Sequence, residues 1–403
     1  MAMTALGIDL MLPAFPKIRH EFGMPPGSAR VGWIVTAYFL GMAIGPWMYG
    51  PASDRFGRRR PLYAGLVLYT LAATLAAVAP TWPLVIIARV LWGIGASGPR
   101  SLAVAMVRDR YEGDSMARLM SLIMAVFLIV PIVAPGLGAL LSSVFPWRAV
   151  FWFPAIVAVI LMVWARRLPE TLALDKRRPF TWKAVSSAAR EVITHRPTMA
   201  LTISMTFLFG LMTIYLAGTE VIFSSVYGYS TWFPLYFGLV GGLLALNSLN
   251  NARLIGRLGA ARLVRVMSVV GVLMAGVLVI VTLLGHGRPN FWLFAVLLAL
   301  MIPIGQGLQP PSNTIAMTPL PHVAGTASAL IATFAAAGGA LLGNLGTSAI
   351  HGSVSPFAVF MLVYFAAAMV LTLWGTSRPV GGVRHTGAAD PAGPASATTT
   401  LHV

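Results

Sequence analysis

The sequence predicts an all-α membrane protein with twelve transmembrane helices in two six-helix halves and both termini on the cytoplasmic side. Three observations predict it. The 403 residues are 58% hydrophobic and 10% charged, with a mean hydropathy of +0.81. A water-soluble domain carries about a quarter charged residues, so here lipid must cover a surface that polar groups cannot. Apolar runs long enough to cross a bilayer core of about 30 Å, at about 1.5 Å per helical residue, recur along the chain. Finally, 21 of the 28 lysines and arginines fall in alternate loops that would share one side, five fall on the other, and two lie inside apolar runs. That asymmetry marks the cytoplasmic face. It also accounts for the net charge of +17 without nucleic acid as a partner. No cysteine is present, which excludes a disulfide framework and a thiolate metal or redox centre. The reading is a monomer in the lipid bilayer with no cofactor and no metal.

In order along the chain, the first apolar segment, Met1 to about Phe15, is short for a span of roughly 20 residues. A chain that begins upstream is one reading of it. It does not read as a signal peptide, because no basic region precedes it. Spans 2 and 3 are expected at about 30–50 and 61–80, and span 4 at about 83–107. Spans 5 and 6, about 118–143 and 149–165, flank an outer turn whose Trp147 suits an interfacial anchor. Spans 7 to 12 are expected at about 198–222, 232–249, 263–285, 290–312, 324–349 and 355–376. The boundaries that follow are a first half over residues 1–165, a cytoplasmic linker over 166–197, a second half over 198–376 and a tail over 377–403. The linker carries eight basic residues and is expected to hold a short surface helix around Trp182–Val192. The tail, rich in Gly, Ala, Pro and Thr, cannot bury enough apolar surface to order itself.

Between spans 2 and 3 lies the loop Gly50, Pro51, Ala52, Ser53, Asp54, Arg55, Phe56, Gly57, Arg58, Arg59, Arg60. Four arginines in so short a loop fix the orientation of the remaining segments. A weaker echo, Gly256, Arg257, Leu258, Gly259 and Arg262, recurs between spans 8 and 9 without the acidic member. Two halves with such an echo suggest a carrier whose substrate path runs between them.

Ionisable residues at membrane depth are costly, about 2.5–3.5 kcal/mol on insertion scales, so an interior cavity is where they belong. Asp9, Arg89, Arg100 and Glu220 are the candidates. Asp9 lies about 12 Å below the outer boundary set by Lys17, and Arg89 about 10 Å below Trp82, at the helical rise. The two can meet, either as a proton-coupling pair or as a structural clamp between spans 1 and 4. Arg100 returns to nearly the same helix face as Arg89, where it lines a cavity or snorkels inward. Glu220 reads as a wet residue at the outer mouth or as a second coupling acid. In span 5, Pro131, Pro135, Gly136 and Gly138 suit a helix that bends or packs closely. The candidate cavity residues are Trp33, Tyr38, Arg100, Phe127, Tyr215, Tyr236 and Gln306, with Phe207 a further aromatic.

The loop pattern G-x-x-x-D-R-x-G-R-R resembles the signature loop of major facilitator transporters. Further stretches resemble the Bcr/CflA group of drug:proton antiporters within that superfamily. Ile8, Asp9, Leu10, Leu12, Pro13, Ala14, Pro16 and Ile18 look like the group's span 1 motif. Arg89, Gly93 and Gly95 match its span 4 pattern. Ala134, Pro135, Gly138 and Ala139 look like a weakened span 5 antiporter motif, and Pro321–Ser328 is similar to the opening of span 11. The resemblance implies a major facilitator fold and export of small amphiphilic antibiotics, such as phenicols or bicyclomycin, in exchange for protons across a bacterial inner membrane. It gives Asp9 the proton-site role and Arg89 the role of its partner. Gly50, Asp54, Arg55, Gly57, Arg58 and Asp109 become a gating loop, in which Asp54 pairs with Arg58 and caps span 11 near Ala324–Thr326. The alternative is a proton symporter or facilitator of a small nutrient or metabolite on the same fold. An enzyme is not expected: the chain shows no H-E-x-x-H, G-x-S-x-G, paired carboxylates or nucleotide loop.

Overall fold

The computed structural model describes residues 1–173, 182–320 and 324–377, apart from the side chains of 117, 182–185, 188, 324 and 325. Within these the chain is helical and contains no strand. Eleven helices are long and apolar enough to cross a membrane. An interrupted first span makes the twelfth crossing. The central part of the expected linker, the tail from 378 and the Pro321–Val323 opening of span 11 lie outside the described residues.

The first span is α1 (Ala2–Asp9), a single 3-10 turn over Leu12–Ala14, and α2 (Phe15–Glu21), where a continuous helix to Phe15 was expected. Its prolines explain the break. Pro13 has no N–H for the carbonyl of Asp9 and Pro16 none for Leu12, so the helical ladder stops beside the acid. There follow α3 (Trp33–Phe56), α4 (Arg59–Val78), α5 (Trp82–Arg110), α6 (Gly113–Val144) and α7 (Ala149–Trp164). The linker holds α8 (Trp182–Thr194), close to the expected surface helix.

Beyond it run α9 (Arg196–Val221), α10 (Phe233–Leu258), α11 (Ala260–Leu284), α12 (Phe291–Gly307), α13 (Gln309–Met317), α14 (Ala324–Ser348) and α15 (Ser355–Thr376). The expected span 10 is thus split at Leu308 into α12 and α13. Pro310 and Pro311 cannot donate to Gln306 and Gly307, and the side-chain amide of Asn251 donates to the Gly307 carbonyl instead, at 2.6 Å. Helices α5, α6 and α10 outrun their apolar stretches and carry charged residues past the lipid on the face of the 50–60 loop, hereafter the inner face.

Before the linker, α3, α4, α5 and α7 pack chiefly on one another; after it, α9 packs on α14 and α15, and α11 on α15. Glycines let backbones touch. A Cβ on Gly93 of α5 would stand 2.0 Å from the Tyr38 carbonyl of α3, and one on Gly339 of α14 2.8 Å from the Thr206 carbonyl of α9. The two groups of helices meet where α3 lies on α14 and α6 on α10. The sequence echo has a structural counterpart. Gly57 (φ 86°, ψ 169°) turns α3 into α4, and Gly259 (φ 75°, ψ 150°) turns α10 into α11, in a backbone region that L side chains rarely adopt.

Candidate functional site

A cavity of about 330 Å³ opens between the two groups of helices. From the first half, α1 supplies Asp9, α3 Phe39, α5 Arg100 and α6 Phe127 and Pro131; from the second, α9 supplies Tyr215, α10 Asn251 and α12 Gln306. Of the expected cavity residues, Arg100, Phe127, Tyr215 and Gln306 line it. Three do not. Trp33 lines a separate outer crevice with Ser225, Asn344 and His351. Tyr38 is buried behind the wall, donating to the Thr4 carbonyl at 3.2 Å, and Tyr236 turns away to donate to Ala295 at 3.1 Å. Each exchanges the cavity for a carbonyl that its hydroxyl can satisfy. Phe207 packs against Tyr364.

Asp9 is 4% exposed and lines the cavity; among the described residues it is the only acid on the lining. The expected Asp9–Arg89 ion pair does not form. Arg89 is fully buried, donates to the carbonyls of Gly7 at 2.9 Å and Ile34 at 3.1 Å, and lies over the rings of Tyr38 and Trp92 at 4.4 and 4.6 Å. The depth comparison put the two residues at one level, but the early end of α1 leaves carbonyls without helical donors, and the guanidinium serves one of them. Tyr38 and Tyr69 donate to carbonyls nearer the start of α1, Tyr69 to that of Met3 at 3.0 Å. Three long side chains from α3, α4 and α5 therefore grip the backbone of α1 and fix where Asp9 points. Arg100 is exposed to the cavity, and among the described residues no carboxylate lies within ion-pair distance of it.

In α6, Pro131 reaches the cavity and the backbone there meets Gly241 of α10. Pro135 is buried. A Cβ on Gly138 would lie 1.9 Å from the Leu10 carbonyl, so α6 touches the break in the first span at that residue. Gly136 faces open space, where a Cβ would meet nothing within 4 Å.

On the inner face Arg58 holds the loop together. Its guanidinium donates to Asp54 at 2.6 Å, Asp109 at 2.8 Å and Ser53 at 2.8 Å. Partial burial pulls its pKa down, but hydrogen bonds and charge from Asp109 and Asp54 outweigh this and hold it above the ordinary value. Sequence reasoning missed Glu170, whose carboxylate accepts from the backbone N–H of Arg58 (2.8 Å), Arg59 (3.1 Å), Thr171 (3.0 Å) and Leu172 (3.1 Å). Partial burial pushes its pKa up; the four N–H donors win and hold it below the usual carboxylate value. It thus caps the start of α4. Arg55 lies over the Phe56 ring at 5.2 Å, and a Cβ on Gly50 would meet nothing within 4 Å. The expected Asp54 cap on span 11 falls at Ala324–Thr326, of which the side chains of 324 and 325 lie outside the described set.

Glu220 is not a wet residue at the mouth. It is 2% exposed and accepts two hydrogen bonds from the equally buried Arg19, both at 2.8 Å, while Arg19 also reaches Ser224 at 3.2 Å. This ion pair ties the first span to α9 across 201 positions, a separation that sequence spacing cannot bridge; the signal was an acid standing alone in an apolar run. Lys17 donates to the Ser142 carbonyl, and Arg148 pairs with Glu21 at 2.8 Å on the same side. Between α3 and α14, the Trp47 indole donates to Thr333 at 2.9 Å, and Thr333 to the Ala43 carbonyl at 2.9 Å.

Comparison with known proteins bears on this geometry. The family model described as Major Facilitator Superfamily matches residues 1–343. The chain belongs to the Major Facilitator Superfamily. It is therefore a multi-pass membrane transporter and not an enzyme. Among curated relatives of this superfamily, it is 32% identical over 333 residues to the uncharacterized MFS-type transporter YdgK of Bacillus subtilis, with 81% of each chain covered. It is 25% identical over 373 residues to a bicyclomycin resistance protein homolog of Haemophilus influenzae, with 92% of each covered. It is 31% identical over 209 residues to the multidrug resistance protein MdtL of Escherichia coli, covering 50% of this chain and 52% of that one. Solved transporters share the fold. A D-xylose-proton symporter superposes with a TM-score of 0.70 at 13% identity, covering 93% of this chain and 95% of that one. The nucleoside transporter NupG gives 0.71 at 13% identity, covering 93% and 98%.

Proposed function

We propose that this transporter exports small amphiphilic compounds, antibiotics among them, in exchange for protons across a bacterial inner membrane. The observation that carries the reading is the single cavity carboxyl, Asp9, between the halves, on a helix end gripped from three sides. The names of the H. influenzae and E. coli relatives support drugs as cargo. The chemistry follows from charge. An ionised Asp9 is tolerable while the cavity is wet, and protonation cancels a charge that closing the cavity must otherwise desolvate. Proton and substrate then favour different states of one equilibrium, and alternation between those states moves them in opposite directions. Arg89 is a positioning residue in this scheme: it sets α1 through the Gly7 carbonyl and does not neutralise Asp9 directly. Asp54, Arg58, Asp109 and Glu170 brace the inner face, and the Arg19–Glu220 pair braces the outer one.

An efflux-deficient bacterium expressing the chain tests the reading. Wild type should raise resistance to at least one compound in a panel of amphiphilic antibiotics that spans neutral, cationic and anionic members, and Asp9→Asn at equal membrane abundance should not. Equal resistance from both would overturn it. Symport of a nutrient on the same scaffold is separated by the direction of pH-gradient-driven flux in proteoliposomes.

A further inference from the structure

Among the described residues the central cavity carries one acid, and it also carries one base that none of them neutralises. Arg100 stands eight residues before Arg108, the first charged residue at the inner end of α5, about 12 Å along the helix. A guanidinium at such depth normally finds a carboxylate or backbone carbonyls. Arg89, about three turns away on the same helix, has done so; Arg100 has not. It makes no hydrogen bond or ion pair with any described residue, and it is exposed into the cavity. Its planar fork of five donors suits a carboxylate, sulfonate or phosphonate.

Two further groups on the same lining lack partners. The hydroxyl of Tyr215, a residue 1% exposed, and the Oδ1 atom of Asn251, a residue 5% exposed, are buried with no hydrogen-bond partner. The first can donate to an acceptor on a ligand and the second can accept from a ligand N–H or O–H. The same lining carries Phe39, Phe127, Phe209 and Phe237, the last stacked on Tyr215 at 5.3 Å. At about 330 Å³ the space is near the lower end of small-molecule sites, about 300–1,000 Å³.

We infer that the substrate class of this transporter is the small aromatic amphiphile with an anionic head, the head bound by Arg100, the body by the phenylalanine wall, and a hydrogen-bonding group by Tyr215 and Asn251. The inference deepens the proposed function in that it rests on this cavity being the substrate site, but it does not depend on Asp9 carrying the proton. A negative head placed on Arg100 leaves Asp9 free to titrate elsewhere on the lining, so cargo charge and coupling charge are read by different residues.

Equilibrium dialysis of the full-length protein in detergent tests it with three matched probes: 1-naphthylacetate, 1-naphthylacetamide and 1-naphthylmethylammonium. Wild type should bind the acetate at least tenfold more tightly than the amide and more tightly than the ammonium. Arg100→Gln should bring the acetate-to-amide ratio within twofold, Arg100→Lys should retain most of it, and Asp9→Asn should leave it in place. Amide or ammonium bound as well as acetate by wild type overturns the inference, as does binding of none of the three. An unchanged ratio in Arg100→Gln overturns it too. Acetate selectivity that depends on Arg100, without proton release on binding, would uphold the inference and remove the proton-exchange reading.

Discussion

Arg89 donates to carbonyls and to no carboxylate, which changes what its replacement should do. Arg89→Gln removes donors from Gly7 and Ile34, and buried acceptors left unsatisfied cost about 1–3 kcal/mol each. The expected outcome is a lower melting temperature in detergent with proton release on substrate binding preserved in the fraction that folds. Loss of proton release at unchanged stability would show that Arg89 acts on Asp9 directly. Glu170 gives a pH signature. Its carboxyl lies below the usual value, so the clamp it provides is complete above about pH 4.3 and is lost only as pH falls through the lower folded value. Hydrogen exchange of a peptide spanning residues 57–62, corrected for intrinsic rate, should show constant protection from pH 8 to pH 5; decay inside that window contradicts the cap. The sequence exposed Asp9, Arg89 and Arg100 as charges out of place, because charge is scarce in apolar runs. It could not say what Arg89 would bind, since a backbone carbonyl has no letter.

At the scale of elements, span positions were legible from apolar length and loop charge, and the observed helices fall where those signals lie. The interruptions were written in Pro13, Pro16, Pro310 and Pro311, but apolar runs alone read through them, and only the lost donors explain why α1 and α12 stop. Two glycines of α6 separate bending from packing. Gly138→Ala sets a Cβ 1.9 Å from the Leu10 carbonyl and should push α6 off the first span, at about 1–3 kcal/mol of strain, with transport reduced. Gly136→Ala meets nothing within 4 Å and should leave transport intact while gaining about 0.5–1 kcal/mol of helix stability. Thermal unfolding and transport of the two variants, measured side by side, check this; equal effects would mean that the Leu10 contact does not govern α6.

For the whole molecule, the outer side is closed by a pair that no local pattern announces. Glu220→Gln strands a buried guanidinium, and breaking such a pair costs about 3–5 kcal/mol, so the outer closure should open more readily. The chain has no cysteine, which makes a direct reading simple. A Cβ on Gly32 would stand 3.1 Å from that of Ala217, and the double variant Gly32→Cys, Ala217→Cys should cross-link under mild oxidation. Adding Glu220→Gln should lower the cross-linking rate several-fold; an unchanged rate would mean that the pair does not hold this face shut.

The decisive quantity is the work a proton gradient performs through one carboxyl. In proteoliposomes carrying Asp9→Asn, exchange of labelled for unlabelled substrate should persist, because it needs only the alternation of states, while uphill movement driven by an imposed pH gradient should vanish. Uphill transport by Asp9→Asn at the wild-type rate would contradict the account at its centre.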